Sequence, residues 1–139
     1  MVLVLATGCL GPDPLPQVRT SIVVGDHVIQ RGETTDLTLI FTNEGPGPVL
    51  IAVYCPSFTV RDEAGNALEP GVYCLAVVPM PIRLEAGARH VIETSWNGRG
   101  NTGGTILGTL QVYPNALAIT EGEALVQIES EPAWIKVVR

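Results

Sequence analysis

Hydrophobic and polar positions alternate along most of the chain. In "DLTLIFT", Leu37, Leu39 and Phe41 alternate with Thr38, Ile40 and Thr42. A period of two turns successive side chains to opposite faces of a strand, so one face is core and the other mixed. "NEGPGP" then turns the chain, and "VLIAVYC" brings it back with Val49, Ile51 and Val53 on one face, which predicts a hairpin with a long turn. "FTVRDEAGNAL" predicts a second hairpin: Asp62 is suited to accept backbone N–H bonds at the start of the turn, and Gly65 to supply the positive φ that ends it. "IRLEAGARHVIETSW" predicts a third, turning at Ala86 and Gly87, with Ile92 and Trp96 on the same side of its second arm. "TSIVVGDHVIQ" reads as the first strand, and "ILGTLQVYP" and "ALVQIESEPAWIKVV" supply the last ones.

No helix-length window carries an apolar stripe at helical spacing, and the 15 Gly and 11 Pro fall between the alternating segments. About eight strands spaced near ten residues apart, with turn signals between them, predict an all-β fold. Its expected form is an antiparallel two-sheet sandwich. Trp96 and Trp134 are the expected large core anchors, because few other aromatic residues are available to supply bulk.

Composition narrows the classes of function. A chain of 139 residues with 46% hydrophobic and 16% charged positions can bury one ordinary core and is not a disordered polymer. Its net charge is −6, and its eight Lys and Arg are scattered. A nucleic-acid partner needs a basic stripe to neutralise phosphates, and none is present. No apolar run approaches the roughly 18 residues of a membrane-spanning helix. Membrane contact is therefore expected to be covalent or peripheral.

The stretch "LATGCLGPDPLP", residues 5–16, supplies a covalent route. Val2 to Ala6 are apolar, Thr7 and Gly8 are small, and Cys9 follows. The pattern resembles a bacterial lipoprotein box, with Ala6 where leucine is usual. The resemblance implies that residues 1–8 are the remnant of a signal peptide and that the Cys9 thiol carries a lipid. Eight uncharged residues are short for a complete leader, so the leader is expected to begin upstream. Gly11, Pro12, Pro14 and Pro16 suit neither a helix nor a central strand. Residues 9–17 thus read as a lipid-anchored tether ahead of a single sandwich domain at 18–139. The alternative for Cys9 is a buried cysteine in an apolar N-terminus. The lipidated reading places the chain in the bacterial cell envelope, facing periplasm or exterior.

With Cys9 set aside, Cys55 and Cys74 remain. In an oxidising compartment they are expected to form a disulfide. The bridge would close a loop of about 20 residues, worth roughly 3 kcal/mol by the chain-entropy relation. Two separate buried thiols are the alternative. There is no CxxC, and His27 and His90 are not spaced as a ligand pair with either cysteine, so no metal or other cofactor is expected.

Three runs point to a family. "LTLIFTNEGPGPVLI", "SFTVRDEAGNAL" and "IRLEAGARHVIETSWNG" together resemble the BsuPI-type proteinase inhibitor domain. The shared features are a strand ending in Thr42 and Asn43, the turn at Val60, Arg61, Asp62 and Gly65, the turn from Leu84 to Gly87, and a strand closing in Trp96. The resemblance covers about residues 35–113 and implies an immunoglobulin-like β-sandwich. The family's founding activity is intracellular protease inhibition, whereas this chain reads as exported.

Catalytic chemistry finds no footing. Gly98, Gly100 and Gly103 spell GxGxxG, but the segment that follows reads as strand, and a dinucleotide loop requires a helix there. Ser21, Ser57, Ser95 and Ser130 lie in no nucleophile elbow. His27 and His90 read as surface residues, and Asp62 and Glu63 as a turn facing water. An enzyme is not expected.

The most unusual segment is "PGVYCLAVVPMPI", residues 70–82. It is apolar, yet Pro79 and Pro81 bar it from a sheet interior. A pre-ordered apolar loop is what an inhibitor presents to a protease cleft, with Leu75, Ala76, Val77, Val78 and Met80 as candidate contacts. The alternative is an edge strand covering the core. The sequence therefore leaves two expectations: a non-catalytic envelope lipoprotein whose sandwich binds a protein partner, or a protease inhibitor using residues 70–82.

Overall fold

A computed structural model describes residues 17–74, 81–119, 125, 126 and 128–139. The described residues contain eleven strands and no helix. They are β1 (Val18–Val24), β2 (Val28–Gln30), β3 (Thr35–Asn43), β4 (Val49–Arg61), β5 (Ala67–Leu68) and β6 (Ile82–Leu84). The remainder are β7 (Arg89–Trp96), β8 (Gly108–Ile119), β9 (Leu125–Val126), β10 (Glu129–Ser130) and β11 (Trp134–Val138). A smaller sheet runs β10-β1-β3-β7. A larger one runs β2-β11-β8-β4-β5, with β6 also on β4 and β9 also on β8. The expected count of about eight falls short because several edge strands are only two or three residues long.

The core lies between the sheets, at the positions that the alternation marks. From the smaller sheet come Val18, Leu37, Leu39, Phe41 and Trp96; from the larger come Val49, Ile51, Phe58, Val60, Leu110, Val112, Ile135 and Val137. Phe58 meets Trp96 edge to face across the sandwich, with ring centroids 6.1 Å apart and planes at 70°. That is a favoured aromatic geometry. The indole Nε1–H of Trp96 donates to the Arg99 carbonyl at 2.8 Å, so the largest core side chain leaves no polar atom unpaired.

The turn between β4 and β5 forms as expected. Val60 pairs with Leu68 and Arg61 with Ala67, and Gly65 has φ 89°. The Asp62 carboxylate accepts from the Asn66 N–H at 2.8 Å and from the Asn66 side-chain amide at 3.1 Å. These bonds, the side-chain one foremost, hold its pKa below the ordinary 3.8.

Four expectations are corrected. The sheets are mixed rather than purely antiparallel, since β1 pairs parallel with β10 and β2 parallel with β11. Both ends of the chain change sheets. The segment "TSIVVGDHVIQ" is two strands in two sheets, and the final segment likewise sends β10 to the smaller sheet and β11 to the larger. First and last strands then run side by side in the same direction at each edge.

The proposed hairpins at "NEGPGP" and at Ala86–Gly87 are instead crossings between sheets, because β3 and β7 belong to the smaller sheet and β4 and β6 to the larger. Five residues can extend over about 16 Å, more than the roughly 10 Å between packed sheets. Turn length therefore permits either outcome. Trp134, expected in the core, is 45% exposed. On β11 the inward positions are Ile135 and Val137, and a side chain one residue out of phase faces the other way.

Asn43, 0% exposed, ties both crossings together. Its side-chain amide donates to the carbonyls of Gly47 at 2.8 Å and Leu84 at 3.0 Å, and its Oδ1 accepts from the Gly45 N–H at 3.0 Å. Its backbone N–H donates to Ala88 and its carbonyl accepts from Gly87.

Two stability predictions follow from these core positions. Asn43→Ala removes partners from two carbonyls and one N–H at a buried site, and should lower the unfolding free energy by about 3 kcal/mol in urea melts. Thr20 is 0% exposed on the inward face of β1, and its Oγ1 has no hydrogen-bond partner among the described residues. Thr20→Val keeps its shape and removes an unpaired polar atom, so it should stabilise by about 1 kcal/mol in the same assay.

Candidate functional site

β4 is interrupted half-way. Val53 pairs with Ala116 and Phe58 with Pro114, so residues 54–57 stand opposite Asn115 alone. Pro56 cannot donate a ladder bond, and a proline within a strand marks such an irregularity. The Asn115 side-chain amide fills the gap by donating to the Pro56 carbonyl at 2.9 Å.

The interruption presents Cys55 to Cys74. The two are disulfide-bonded, with Cα atoms 5.7 Å apart. The chain leading into Cys74 is fixed from the other side as well. The Gly71 N–H donates to the Arg99 carbonyl at 2.7 Å, and the Asn101 N–H donates to the Glu69 carbonyl at 3.0 Å. The Asn101 amide reaches the Glu69 carboxylate at 2.9 Å. A Cβ on Gly71 would collide with the Gly100 carbonyl, so the close approach of these two backbones requires glycine.

The GxGxxG run thus serves as a connection between β7 and β8. Gly98 and Gly103 both have positive φ, Arg99 bridges to Thr105, and strand β8 follows. Next to the bridge stand two tyrosines that the sequence reading did not single out, Tyr54 and Tyr73, the latter 85% exposed. The signals available for this region were Pro56 inside an alternating run and a tyrosine directly preceding each cysteine. Tyr73 also lines a shallow hollow of about 240 Å³ with Thr34, Gly71, Val72 and Asn97.

The residues proposed as loop contacts, Leu75, Ala76, Val77, Val78 and Met80, lie outside the described residues, as does Cys9. The structure therefore describes the root of the 70–82 segment and its disulfide, and not the segment's centre.

Elsewhere the larger sheet carries an open groove of about 730 Å³, lined by residues that include Arg61, Gln111, Tyr113, Leu117 and Glu129. It sits where the C-terminal chain leaves β8 between β9 and β11. The Arg61 guanidinium stacks 4.8 Å from the Tyr113 ring centroid, a cation–π contact. The groove offers hydrogen-bonding groups, and the Ser130 hydroxyl at its rim donates to the Glu131 carbonyl at 3.2 Å. His27 is exposed; its Nδ1–H donates to the Trp134 carbonyl at 2.8 Å and its ring lies 4.6 Å from the Trp134 ring. His90 is half-buried on β7. Among the described residues no group of three His, Cys, Asp or Glu could hold a metal ion, and no helix is long and apolar enough to cross a membrane.

Comparison with known proteins bears on the fold. No protein-family model matches the chain, and no curated protein matches it. Solved structures do. The Bordetella pertussis protein assigned as ApaA is 16% identical with a TM-score of 0.56, over 92% of this chain and 99% of that one. A structural-genomics target designated SoR45 is 12% identical with a TM-score of 0.53, over 87% of each chain. The Pseudomonas fluorescens alkylpurine DNA glycosylase AlkC, solved bound to DNA containing an abasic-site analogue, is 14% identical with a TM-score of 0.50. That match takes in 89% of this chain and only 30% of the glycosylase. The chain shares a two-sheet β-sandwich with the first two and with a part of the glycosylase. At such identities the likeness concerns the fold alone.

The bridge sets a stability prediction. Cys55→Ser with Cys74→Ser removes a bridge across a sequence separation of 19 and should lower the unfolding free energy by about 3 kcal/mol. Denaturant melts of the double variant beside the oxidised protein measure it.

Proposed function

We propose that the protein is a non-catalytic interaction module of the bacterial cell envelope, anchored by lipid at Cys9 and held off the membrane by the proline-punctuated tether of residues 9–17. The observation that carries this reading is the Cys55–Cys74 disulfide. Structural disulfides persist in exported proteins and are rare in a reducing cytosol. The lipoprotein-box resemblance at residues 5–9 supplies the route of export, and the scattered charge argues against nucleic acid as the partner. In this reading the partner is a protein, and the sandwich presents a surface rather than a reaction centre.

A second reading has its own support. The root of residues 70–82 is held by the bridge at Cys74 and by the Gly71 to Arg99 hydrogen bond. An anchored root lowers the entropy cost of presenting an extended loop to a cleft. Together with the BsuPI-type resemblance, this favours a protease inhibitor with Leu75, Ala76, Val77, Val78 and Met80 in contact.

Intact mass of the protein expressed from its genomic locus, with upstream codons included, tests the first reading. The expected product starts at Cys9, carries added lipid mass, and gains two alkylated thiols only after reduction. An unprocessed chain with three free thiols overturns it. The inhibitor reading predicts inhibition of at least one enzyme in a panel of serine, cysteine and metalloproteases, lost when Leu75→Asp and Val77→Asp are introduced together with the fold intact. Wild-type protein inactive against the whole panel overturns that reading.

A further inference from the structure

The edges of the two sheets are not alike. β2, β5, β6 and β10 are each two or three residues long, too short to template a new strand. β7 ends the smaller sheet and runs for eight residues, Arg89–Trp96. Its register with β3 is continuous from Arg89 to Trp96, so it has no bulge, and it contains neither proline nor glycine. Single-chain proteins blunt a long edge with such devices, because an open ladder pairs with another strand. Among the described residues nothing pairs with the outer side of β7.

The hydrogen-bond pattern says which residues face outward. Asn43 donates its N–H to the Ala88 carbonyl, in register with the β3–β7 ladder. On the far side of β3 the Asp36 carbonyl accepts from Gly25, so Asp36, the partner of Ser95, faces β1. Bonded pairs alternate in an antiparallel ladder. Even-numbered residues of β7 therefore bond to β3, while Arg89, Val91, Glu93 and Ser95 aim N–H and C=O at the open edge. The side chains of these same residues are exposed, Val91 to 48%.

We propose that β7 is an interface between two copies of this chain, paired antiparallel about a two-fold axis at Val91. This register makes Val91 a bonded pair with the second copy's Val91, and sets Arg89 opposite Glu93 on both sides of the axis. Each of these pairs exchanges two backbone hydrogen bonds. The charges complement each other without further adjustment: the cation and the anion lie two residues either side of the axis, on one exposed face. Neither Arg89 nor Glu93 makes an ion pair within the chain among the described residues. A second copy is the occupant that satisfies both the ladder and the charges, and the joined sheets form one continuous eight-stranded layer through the pair.

Sedimentation velocity of the purified full chain from about 10 µM to about 1 mM tests this. The expected result is a reversible dimer that weakens as salt rises. Glu93→Arg places arginine opposite arginine and should raise the dissociation constant about tenfold or more. Combining it with Arg89→Glu restores complementarity and should return the constant to within about threefold of wild type. Val91→Pro removes an outward N–H at an edge position where proline is tolerated, and should also abolish the dimer while circular dichroism stays native. A monomer throughout the range overturns the proposal. So does a dimer indifferent to either single variant, or one that the charge swap fails to restore.

Discussion

Asn43 sits where the chain crosses between sheets twice, and the rest of the sandwich depends on its side-chain amide. The first crossing leaves β3 for β4 and the second leaves β6 for β7. Both pass within hydrogen-bond distance of this one buried amide. Backbone groups in a crossing cannot join a ladder, yet when buried they must find partners. Asparagine has two donors and an acceptor on a short stem, enough to serve both turns at once. A hydrophobic residue of similar size would fill the space and leave the carbonyls unpaired. The amide therefore holds both crossings at one point, and Phe58 packs edge to face on Trp96 between the two sheets that the crossings join.

A second constraint acts half-way along β4. Pro56 cannot join the ladder, and the strand becomes irregular at residues 54–57. The opening is closed by two different chemistries, an amide from Asn115 and a disulfide to Cys74. The disulfide thus ties an irregular stretch of the larger sheet to the connection that runs on towards β6. Gly71 and the β7–β8 connection brace the same segment from the smaller sheet's side.

Much of this was legible in the alternation of residues. Leu37, Leu39, Phe41, Val49, Ile51 and Trp96 lie in the core, because period-two burial is a local property of each strand. The Asp62 turn was legible for the same reason, since an acceptor at its start and a glycine near its end act within a few residues. The disulfide followed from cysteine count together with the expected oxidising compartment. Trp134 is exposed despite its bulk, because Ile135 and Val137 occupy the inward positions of β11, and its indole packs against His27 instead.

The sequence by itself determined which face of each strand is apolar, where the chain turns, and that the described residues would form no helix, because these follow from side-chain chemistry at short range. Only the tertiary structure decided which sheet each strand joins. A five-residue turn spans a hairpin or the gap between sheets equally well, and the difference lies in partners distant along the chain. Asn43 meets Leu84, β1 meets β10, and β2 meets β11. Those contacts satisfy buried polar groups and complete the two layers, and no local pattern encodes them.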